Sequence, residues 1–302
     1  MNGPAVCLTS DWEPDRSFLE RLERKLQERG HTTYLVWPGN LDDTVAAVRR
    51  GELEFSYFLD RASNTSPEFF ALTGMLQDAG VPCLDTPQAM VWAADKATMH
   101  LEFHRAGIEV PYTVILDSFE NRADLPGLEA ELSALGSPFV IKPANTTGGG
   151  IGVFDRAATR EDIQQVRQQY PRDKYLLQAK MSPKESEGRR NWFRTFYAGG
   201  RIFPSWWDDR SHLYAPVSEG EVERCSLEPL WTITESIARV CRLNLFSSEI
   251  VKTTGERFVV VDYVNETPDL RSKSTCPDGV PEHIVEEIVD VLARSIDSEL
   301  AR

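Results

Sequence analysis

The sequence contains no hydrophobic run that approaches the roughly 20 residues needed to span a bilayer. Its first residues, MNGPAVCLTSDWEPD, lack a basic segment followed by an apolar one, so no secretory signal is predicted. Basic residues are also scarce, because 33 Lys and Arg stand against 47 Asp and Glu, a net charge of −14. These absences argue against a membrane protein and against a broad nucleic-acid surface, and they predict a cytoplasmic protein.

The motifs of several enzyme classes are missing as well. The five cysteines are scattered without a C-x-x-C pair, which is typical of reduced thiols and argues against zinc. His100 and His104 are four residues apart, but no third metal ligand is evident, so we predict ordinary helix residues. No G-x-x-x-x-G-K-S/T segment occurs, which excludes a P-loop, and no Ser–His or Cys–His nucleophile pattern is evident.

What is present is an ordinary globular composition, with 41% apolar and 26% charged residues in 302 positions. Within residues 1–90, short apolar runs alternate with helical periodicity, which predicts parallel βαβ units. The predicted strands are 5–9, 32–37, 55–60 and 81–85, and the predicted helices are 16–29, 43–50 and 67–79. A further helix is predicted over 87–106.

The rest of the chain has a different pattern. Strands are predicted near 106–116, on both sides of a glycine-rich loop within 137–154, and over 174–180. Two hairpins are predicted, over 192–207 with its turn at Ala198-Gly199-Gly200 and over 246–265 with its turn at Thr254-Gly255. Helices are predicted at 127–134, 158–170, 228–242 and the C-terminus. The changes of pattern predict domains over 1–90, 91–180 and 181–302.

Lys142 ends the apolar run FVIK and precedes a loop with four glycines in five positions, Gly148 to Gly152. Such a loop lets the backbone approach a ligand and direct N–H groups at it, and a nearby lysine adds a cation for phosphate oxygens. A plain hairpin loop with a lysine that reaches solvent is the alternative. The loop is followed by a predicted strand, which disfavours a dinucleotide site of the G-x-G-x-x-G type.

The second hairpin carries acidic residues inside apolar strand sequence. Glu249 lies in SSEIV and Asp262 follows FVVV, and a buried carboxylate is costly unless it is paired or binds a cation. If the turn is centred on Thr254-Gly255, Glu249 faces Val260 and lies diagonally from Asp262. Together with Asn265, this oxygen set suits Mg²⁺. A salt-bridged hairpin without a metal is the alternative.

Other candidate residues are single side chains. Arg194 lies inside the apolar strand WFRTFY, and Arg271 follows Asn265 by six residues. An arginine in such a position either pairs structurally or binds a carboxylate or phosphate. The segment SWWDDRSHLYAP places Trp207, His212 and Tyr214 together, which predicts either an aromatic substrate wall or a small hydrophobic core.

The order of these features resembles the ATP-grasp superfamily, in particular its carboxylate–amine and carboxylate–thiol ligases. That group includes D-alanine–D-alanine ligase, glutathione synthetase and the ribosomal-protein glutamate ligase. The resemblance rests on Asp95-Lys96, AGIEVPYT, FVIKPANTTGGGIGV, YLLQAK, SSEIV and VVVDYVNETPDLR. It implies an α/β (α+β), three-lobed ATP-grasp fold. A Rossmann-like N-terminal domain would precede two α+β lobes that hold the nucleotide between them.

The resemblance also implies an activity and residue roles. ATP and Mg²⁺ would activate a carboxylate as an acyl phosphate, which an amine or thiol attacks. Catalytic roles fall to Arg194 and Arg271, and metal binding falls to Glu249, Asp262 and Asn265. The residues that it places around ATP are Lys96, Lys142, Thr147, Gly148, Gly149, Gly150, Gln178, Lys180, Met181 and Glu187, with Glu185 as the alternative to Glu187 at the ribose.

Two positions depart from the family pattern. The last motif is usually E-x-N, whereas Asp262 and Asn265 are three residues apart, which needs a bulge or the end of the strand. Gln178 stands where the family often has glutamate. An ATP-grasp kinase and a regulatory ATP-binding module are the alternative functions. The expected partners are small-molecule carboxylates and amines, with no nucleic acid or membrane, and the oligomeric state is left open with a homodimer as the commonest arrangement.

Overall fold

The computed structural model describes residues 5–125, 127–145, 150–186 and 188–301. The N-terminal lobe contains a parallel sheet of strand order β2-β1-β3. Its elements are β1 (Ala5–Thr9), α1 (Arg16–Glu28), β2 (Thr33–Val36), α2 (Leu41–Arg49), β3 (Phe55–Leu59) and α3 (Phe70–Asp78), with short 3₁₀ helices over Glu13–Asp15 and Pro67–Phe69. The predicted βαβ alternation is therefore confirmed.

Two predicted elements at the end of this lobe were wrong. The predicted strand over 81–85 is reduced to a single parallel bridge between Phe58 and Cys83. The predicted helix over 87–106 is instead two helices, α4 (Pro87–Ala94) and α5 (Lys96–Arg105). The break occurs at Asp95, whose carboxylate accepts hydrogen bonds from the N–H groups of Ala97 and Thr98 at 2.8 and 3.1 Å. Asp95 thus caps a new helix that begins with Lys96.

The central lobe is a four-stranded antiparallel sheet of order β4-β7-β5-β6 with two helices packed on it. Its elements are β4 (Thr113–Leu116), α6 (Glu129–Leu135), β5 (Phe139–Pro143), β6 (Phe154–Ala157), α7 (Arg160–Arg167) and β7 (Tyr175–Ala179). Helix α7 begins at a capping box in which Thr159 and Asp162 satisfy each other's backbone N–H groups. The predicted strands on both sides of the glycine-rich loop are confirmed, and β5 ends one residue after Lys142.

The C-terminal lobe contains a five-stranded antiparallel sheet of order β12-β11-β10-β13-β14 and a separate two-stranded ribbon, β8-β9. Both predicted hairpins are confirmed, and Gly199 and Gly200 have φ angles of 48° and 89°, which a tight β-hairpin turn requires. The elements are β8 (Glu185–Ser186), β9 (Arg189–Arg190), β10 (Trp192–Ala198), β11 (Arg201–Trp207), β12 (Tyr214–Pro216), α8 (Glu219–Cys225), α9 (Pro229–Cys241), β13 (Leu245–Lys252), β14 (Phe258–Asn265) and α10 (Glu282–Leu300).

The N-terminal and C-terminal lobes share one hydrophobic core. Helix α10 packs against α1, and its i, i+4 stripe of Ile284, Ile288, Leu292 and Ile296, with Leu300 partly buried at its end, packs together with residues of β1, β3 and β10. A second core joins α4 and α5 to α9, β13 and β14. The three main sheets lie within 1–90, 91–180 and 181–302, and these domain boundaries remain a prediction. No helix among the described residues is both long and apolar enough to cross a membrane.

Candidate active site

Two lysines from the central part of the chain converge on strand β14 of the C-terminal lobe. Lys142 is 5% exposed, and its ammonium donates a hydrogen bond to the backbone carbonyl of Val261 at 2.8 Å. Lys96 begins helix α5, and its backbone N–H donates to the carbonyl of Ala144, two residues beyond Lys142, at 3.1 Å. The first turn of α5 is thereby tied to the end of β5, and both lysines face the acidic hairpin.

The hairpin of β13 and β14 has a different register from the predicted one. Glu249 lies directly opposite Asp262, whereas the adjacent Ile250 lies opposite Val260. The prediction that Glu249 faces Val260 was therefore wrong. The reason is a bulge in which Val261 is the extra residue of β14. Because Glu249 and Ile250 point to opposite faces of the sheet, the bulge places Asp262 on the same face as Glu249.

A second bulge accounts for the spacing between Asp262 and Asn265. Ser247 pairs with Asn265 and Glu249 pairs with Asp262, so Tyr263 and Val264 together stand opposite the single residue Ser248. Since residues 247 and 249 share one face of β13, their partners Asp262 and Asn265 also share a face. The i, i+3 spacing is thus compatible with one common oxygen-rich surface.

Arg194 on the neighbouring strand β10 completes this surface. It lies opposite Glu249 in the sheet and forms an ion pair with that carboxylate, while the indole N–H of Trp192 donates to the other carboxylate oxygen at 3.0 Å. Burial acts to lower the pKa of Arg194, but Glu249 and Tyr214 outweigh it and hold the pKa above its ordinary value. The guanidinium therefore stays charged.

Opposing charges also shift the pKa values of the side chains that face each other between the central and C-terminal lobes. Burial lowers the pKa of Lys142 to about 8, although Asp262 and Glu249 favour its charged form, and Lys96 adds to the lowering. Burial raises the pKa of Asp262, but Lys96, Lys142 and Arg194 together bring it below its ordinary value. These couplings place both lysines, both carboxylates and Arg194 within one electrostatic cluster.

The predicted aromatic side chains lie next to Arg194. Its guanidinium carbon is 4.4 Å from the centre of the Trp207 ring, and one of its nitrogens is 3.4 Å from the hydroxyl of Tyr214. His212 stacks on Trp207 with ring centres 5.4 Å apart. Trp207 and Tyr214 are also 9% and 5% exposed members of the core shared by the two terminal lobes. Both open alternatives, a wall beside the site and a packed core, thus have support.

Arg271 lies in the segment after β14 and is already paired within the protein. Its guanidinium is ion-paired with Asp269 at 2.7 Å and with Asp278 at 3.0 Å, and it lies 5.3 Å from the ring centre of Trp12. These hydrogen bonds, despite some burial, raise its pKa above the ordinary value. A substrate carboxylate would therefore have to compete with two aspartates for this arginine.

Gln178, predicted among the residues around ATP, lies in β7, and its side chain contacts a tyrosine of β14. It is 4% exposed, and its amide donates to the hydroxyl of Tyr263 at 2.8 Å. The Nδ1 atom of His100 lies 2.7 Å from the same hydroxyl. Burial, with smaller contributions from His104 and Lys142, lowers the pKa of His100 to about 4. The ring is therefore neutral and can accept a hydrogen bond from the phenol hydroxyl. Sequence reasoning missed this network, because a lone histidine and a tyrosine in a strand carry no distinctive spacing.

The remaining predicted ATP contacts are only partly within the described residues. Lys180 follows β7 and donates to the carboxylate and carbonyl of Asp155 at 2.8 and 2.9 Å, and Met181 is half-buried. Gly150 is exposed with φ 78°, and Glu185 is exposed in β8. The predicted contacts of Thr147, Gly148, Gly149 and Glu187 lie outside the described residues.

The oxygen set is suited to a hard cation. No group of three or more His, Cys, Asp or Glu side chains with metal-site geometry occurs in the described part of the chain. The predicted set, however, has two carboxylates and one amide, and Mg²⁺ commonly takes one or two protein carboxylates and completes its shell with water and phosphate oxygens. Each carboxylate oxygen of Glu249 has one hydrogen bond, which leaves a lone pair for a cation.

Comparison with known proteins identifies the fold. No protein-family model and no curated protein matches the sequence. Among solved structures, a RimK-domain ATP-grasp protein from Sphaerobacter thermophilus superposes with a TM-score of 0.66 at 23% identity, over 95% of this chain and 98% of the other. D-alanyl-alanine synthetase A from Vibrio cholerae gives 0.68 at 13% identity, with 100% of both chains covered. D-alanine–D-alanine ligase from Bacillus anthracis, complexed with ATP, gives 0.64 at 12% identity and 98% of each chain. The chain therefore has the ATP-grasp fold, as predicted.

Proposed function

We propose that the protein is an ATP- and Mg²⁺-dependent ligase that activates a carboxylate and joins it to an amine or thiol. The observation that carries this proposal is the cluster of Lys96, Lys142, Glu249, Asp262 and Arg194 at the junction of two lobes of an ATP-grasp fold. Three fixed cations beside two carboxylates suit the binding of a triphosphate together with a divalent cation. Two of the structures that share the fold are named D-alanyl-alanine synthetase A and D-alanine–D-alanine ligase, the latter complexed with ATP.

In the proposed reaction, Lys96 and Lys142 bind phosphate oxygens of ATP and offset their charge. Glu249, Asp262 and Asn265 would hold Mg²⁺, which would supply positive charge beside the phosphates. A substrate carboxylate oxygen attacks the γ-phosphorus, the bond to the β-phosphate oxygen breaks, and ADP leaves. Fixed electrostatics of this kind usually supply most of the catalysis in phosphoryl transfer.

The product of that step is an acyl phosphate, on which the nucleophile acts. Arg194 lies on the carboxylate surface next to Tyr214 and Trp207, where it would neutralise the transferring phosphoryl group. An amine then attacks the acyl carbon, loses a proton, and releases inorganic phosphate. Because an acyl phosphate hydrolyses readily, water must be excluded, and the predicted role of the glycine-rich loop is to close over the phosphates.

A trapping assay tests the acyl phosphate. The protein is incubated with ATP, Mg²⁺, hydroxylamine and pooled carboxylic acids, and mass spectrometry is used to detect a hydroxamate together with ADP and free phosphate. Replacement of hydroxylamine by pooled amines should then give a new amide. A phosphorylated alcohol in place of a hydroxamate would indicate a kinase, and the absence of ADP formation would contradict the proposal.

The surroundings of the site also support parts of the partner prediction. The aromatic wall and Arg271 favour a small acidic or amino-acid-like substrate, and the net charge of −14 opposes nucleic acid. We propose a cytoplasmic location and a homodimer on the grounds given from the sequence. Size-exclusion chromatography with light scattering measures the oligomeric state.

A further inference from the structure

The phenol of Tyr263 is buried behind the proposed phosphate site. The side chain is 0% exposed, and its hydroxyl lies at hydrogen-bond distance from Gln178 at 2.8 Å and from His100 at 2.7 Å, with Thr113 as a further hydrogen-bonding neighbour. A buried hydroxyl with two short hydrogen bonds is oriented in one direction, because loss of either bond would leave a polar group unsatisfied. The proposed reaction uses none of these side chains directly.

The partners of this hydroxyl come from the elements that carry the phosphate-binding lysines. His100 lies on α5, four residues and about one helical turn after Lys96. Gln178 lies on β7 and pairs with Val140 on β5, two residues before Lys142. Tyr263 follows Asp262 directly on β14. The hydroxyl of Tyr263 thus links the elements that carry or flank Lys96, Lys142 and Asp262, namely α5, the β5–β7 pair and β14.

The ring of Tyr263 is in contact with the lysine as well. The ammonium of Lys142 lies 5.1 Å from the ring centre, and Phe103 of α5 packs edge-on against the ring at 5.4 Å. The ammonium also donates to Val261, the extra residue of the first bulge, while Tyr263 belongs to the second bulge. The position of Lys142 is therefore set by a ring and a carbonyl that both lie in the bulged part of β14.

We infer that Tyr263 is a positioning residue: its hydroxyl, bonded to Gln178 and His100, locks the bulged strand β14 to β7 and α5 and thereby aims Lys142 at the phosphates of ATP. This inference rests on the proposed function, since it assumes that Lys142 binds a phosphate. It predicts that loss of the hydroxyl weakens phosphate binding selectively, while the adenosine part of the nucleotide is bound as before.

The test compares two tyrosine-to-phenylalanine variants. Tyr263→Phe removes only the hydroxyl and keeps the ring against Lys142 and Phe103. Tyr175→Phe is the matched control, because Tyr175 in β7 is also 0% exposed and its hydroxyl donates to Val166 at 3.1 Å and accepts from Tyr170 at 3.2 Å. Calorimetric titration then gives the Kd of each protein for the Mg²⁺ complex of a non-hydrolysable ATP analogue and for adenosine.

The expected result is a roughly tenfold weaker binding of the ATP analogue by Tyr263→Phe, with adenosine changed less than about twofold and Tyr175→Phe changed in neither. His100→Leu, which removes another partner of the hydroxyl, should give the same selective loss, and the double variant should bind the analogue no more weakly than the weaker of the two single variants. If Tyr263→Phe does not fold by circular dichroism, His100→Leu is judged by the same criteria.

Three outcomes would overturn the inference. They are unchanged binding of the ATP analogue, an equal loss for the analogue and adenosine, and a loss of the same size in Tyr175→Phe. Failure of the wild-type protein to bind the ATP analogue would instead remove the proposed function itself. The two failures are therefore distinguishable from the first titration.

Discussion

Two buried lysines lie at the hairpin of β13 and β14, and their surroundings differ. Lys252 belongs to the hairpin, and Lys142 reaches it from the central lobe. Lys252 at the end of β13 is 3% exposed, donates to the carbonyl of Cys225 at 2.6 Å and is ion-paired with Glu256 at 2.9 Å. Lys142 is buried to the same degree and also donates to a carbonyl, but no carboxylate among the described residues lies within ion-pairing distance of it.

The difference separates a structural lysine from one that is available to a ligand. A charge that is buried beside its own counter-ion is already compensated, whereas a charge held near carboxylates without direct contact still gains from a bound anion. The lowered pKa of Lys142, to about 8, is the electrostatic sign of this incomplete compensation. The comparison therefore predicts which buried charges serve function.

The largest expected effect comes from removal of each lysine in turn. Lys142→Ala should lower kcat/KM for ATP by roughly 10³-fold, because a fixed cation at the phosphates is lost. Lys252→Ala should change kcat/KM by less than about threefold. It should lower the melting temperature more than Lys142→Ala does, because the carbonyl of Cys225 loses its hydrogen-bond donor. Steady-state ADP release and differential scanning calorimetry measure the two effects.

The comparison would fail if both variants lost activity to the same extent, or if Lys142→Ala kept full activity. A Lys142→Ala protein that remains folded and inactive, beside an active Lys252→Ala protein, would establish the distinction.

The next largest effect is expected from substitution of the carboxylates near the two lysines, Asp262 and Glu256. Asp262→Asn should lower turnover at millimolar Mg²⁺ by roughly 10²-fold and raise the Mg²⁺ concentration needed for half-maximal rate, since one anionic ligand is lost. Glu256→Gln, which removes the counter-ion of Lys252, should leave the Mg²⁺ dependence unchanged. A Mg²⁺ titration of ADP release distinguishes them, and equal titration curves for Asp262→Asn and wild type would exclude Asp262 as a ligand.

The smallest effect tests the premise that burial without an ion pair shifts a pKa. Burial raises the pKa of Asp85 from 3.8 to about 6, although the backbone N–H groups of Asn244 and Leu245 oppose the change. A raised carboxyl pKa stabilises the folded state below about pH 4, and this contribution is lost as the pH rises through 6. At about 1.4 kcal/mol per pKa unit, reduced for residual solvent contact, it amounts to roughly 2 kcal/mol.

The stability difference between wild type and Asp85→Asn should therefore shift by that amount against the wild type between pH 4 and pH 7. Urea unfolding at a series of pH values measures it. A difference that does not change with pH would show that burial of Asp85 leaves its titration unaltered.

Much of the fold was predictable, because periodicity and turn residues act locally. The stripe of α10 and the two-glycine turn at 199–200 are strong local signals, and both are found in the structure. The predicted helix over 87–106 failed for the opposite reason. Residues 88–106 contain neither proline nor glycine, and only the capping preference of Asp95 marks the new start. The segment 81–85 has strand composition but forms one bridge, since strand formation depends on a neighbour.

The site was predictable by residue type more than by geometry. Lys142, Glu249, Asp262 and Arg194 were selected as charges in apolar strands, and the structure brings them together. Their roles remain predictions. The predicted register failed because bulges depend on tertiary packing: it placed Asp262 diagonally from Glu249, whereas the bulge places Asp262 directly opposite Glu249. Gln178, Tyr263 and His100 meet across distant parts of the chain, and no local pattern reports such a meeting.

The two bulges in β14 have a consequence for sequence comparison and for engineering. An ungapped alignment of β14 with a strand that lacks both bulges assigns Asp262 to the opposite face of the sheet, whereas Asn265 returns to its own face because the two extra residues together shift the pairing by two. Deletion of Val261 alone would make the pairing regular and leave Asp262 opposite Glu249, but it would remove the carbonyl that accepts the hydrogen bond of Lys142. A chimaera spliced in this strand must therefore preserve both the partner of Glu249 and the carbonyl beneath the lysine.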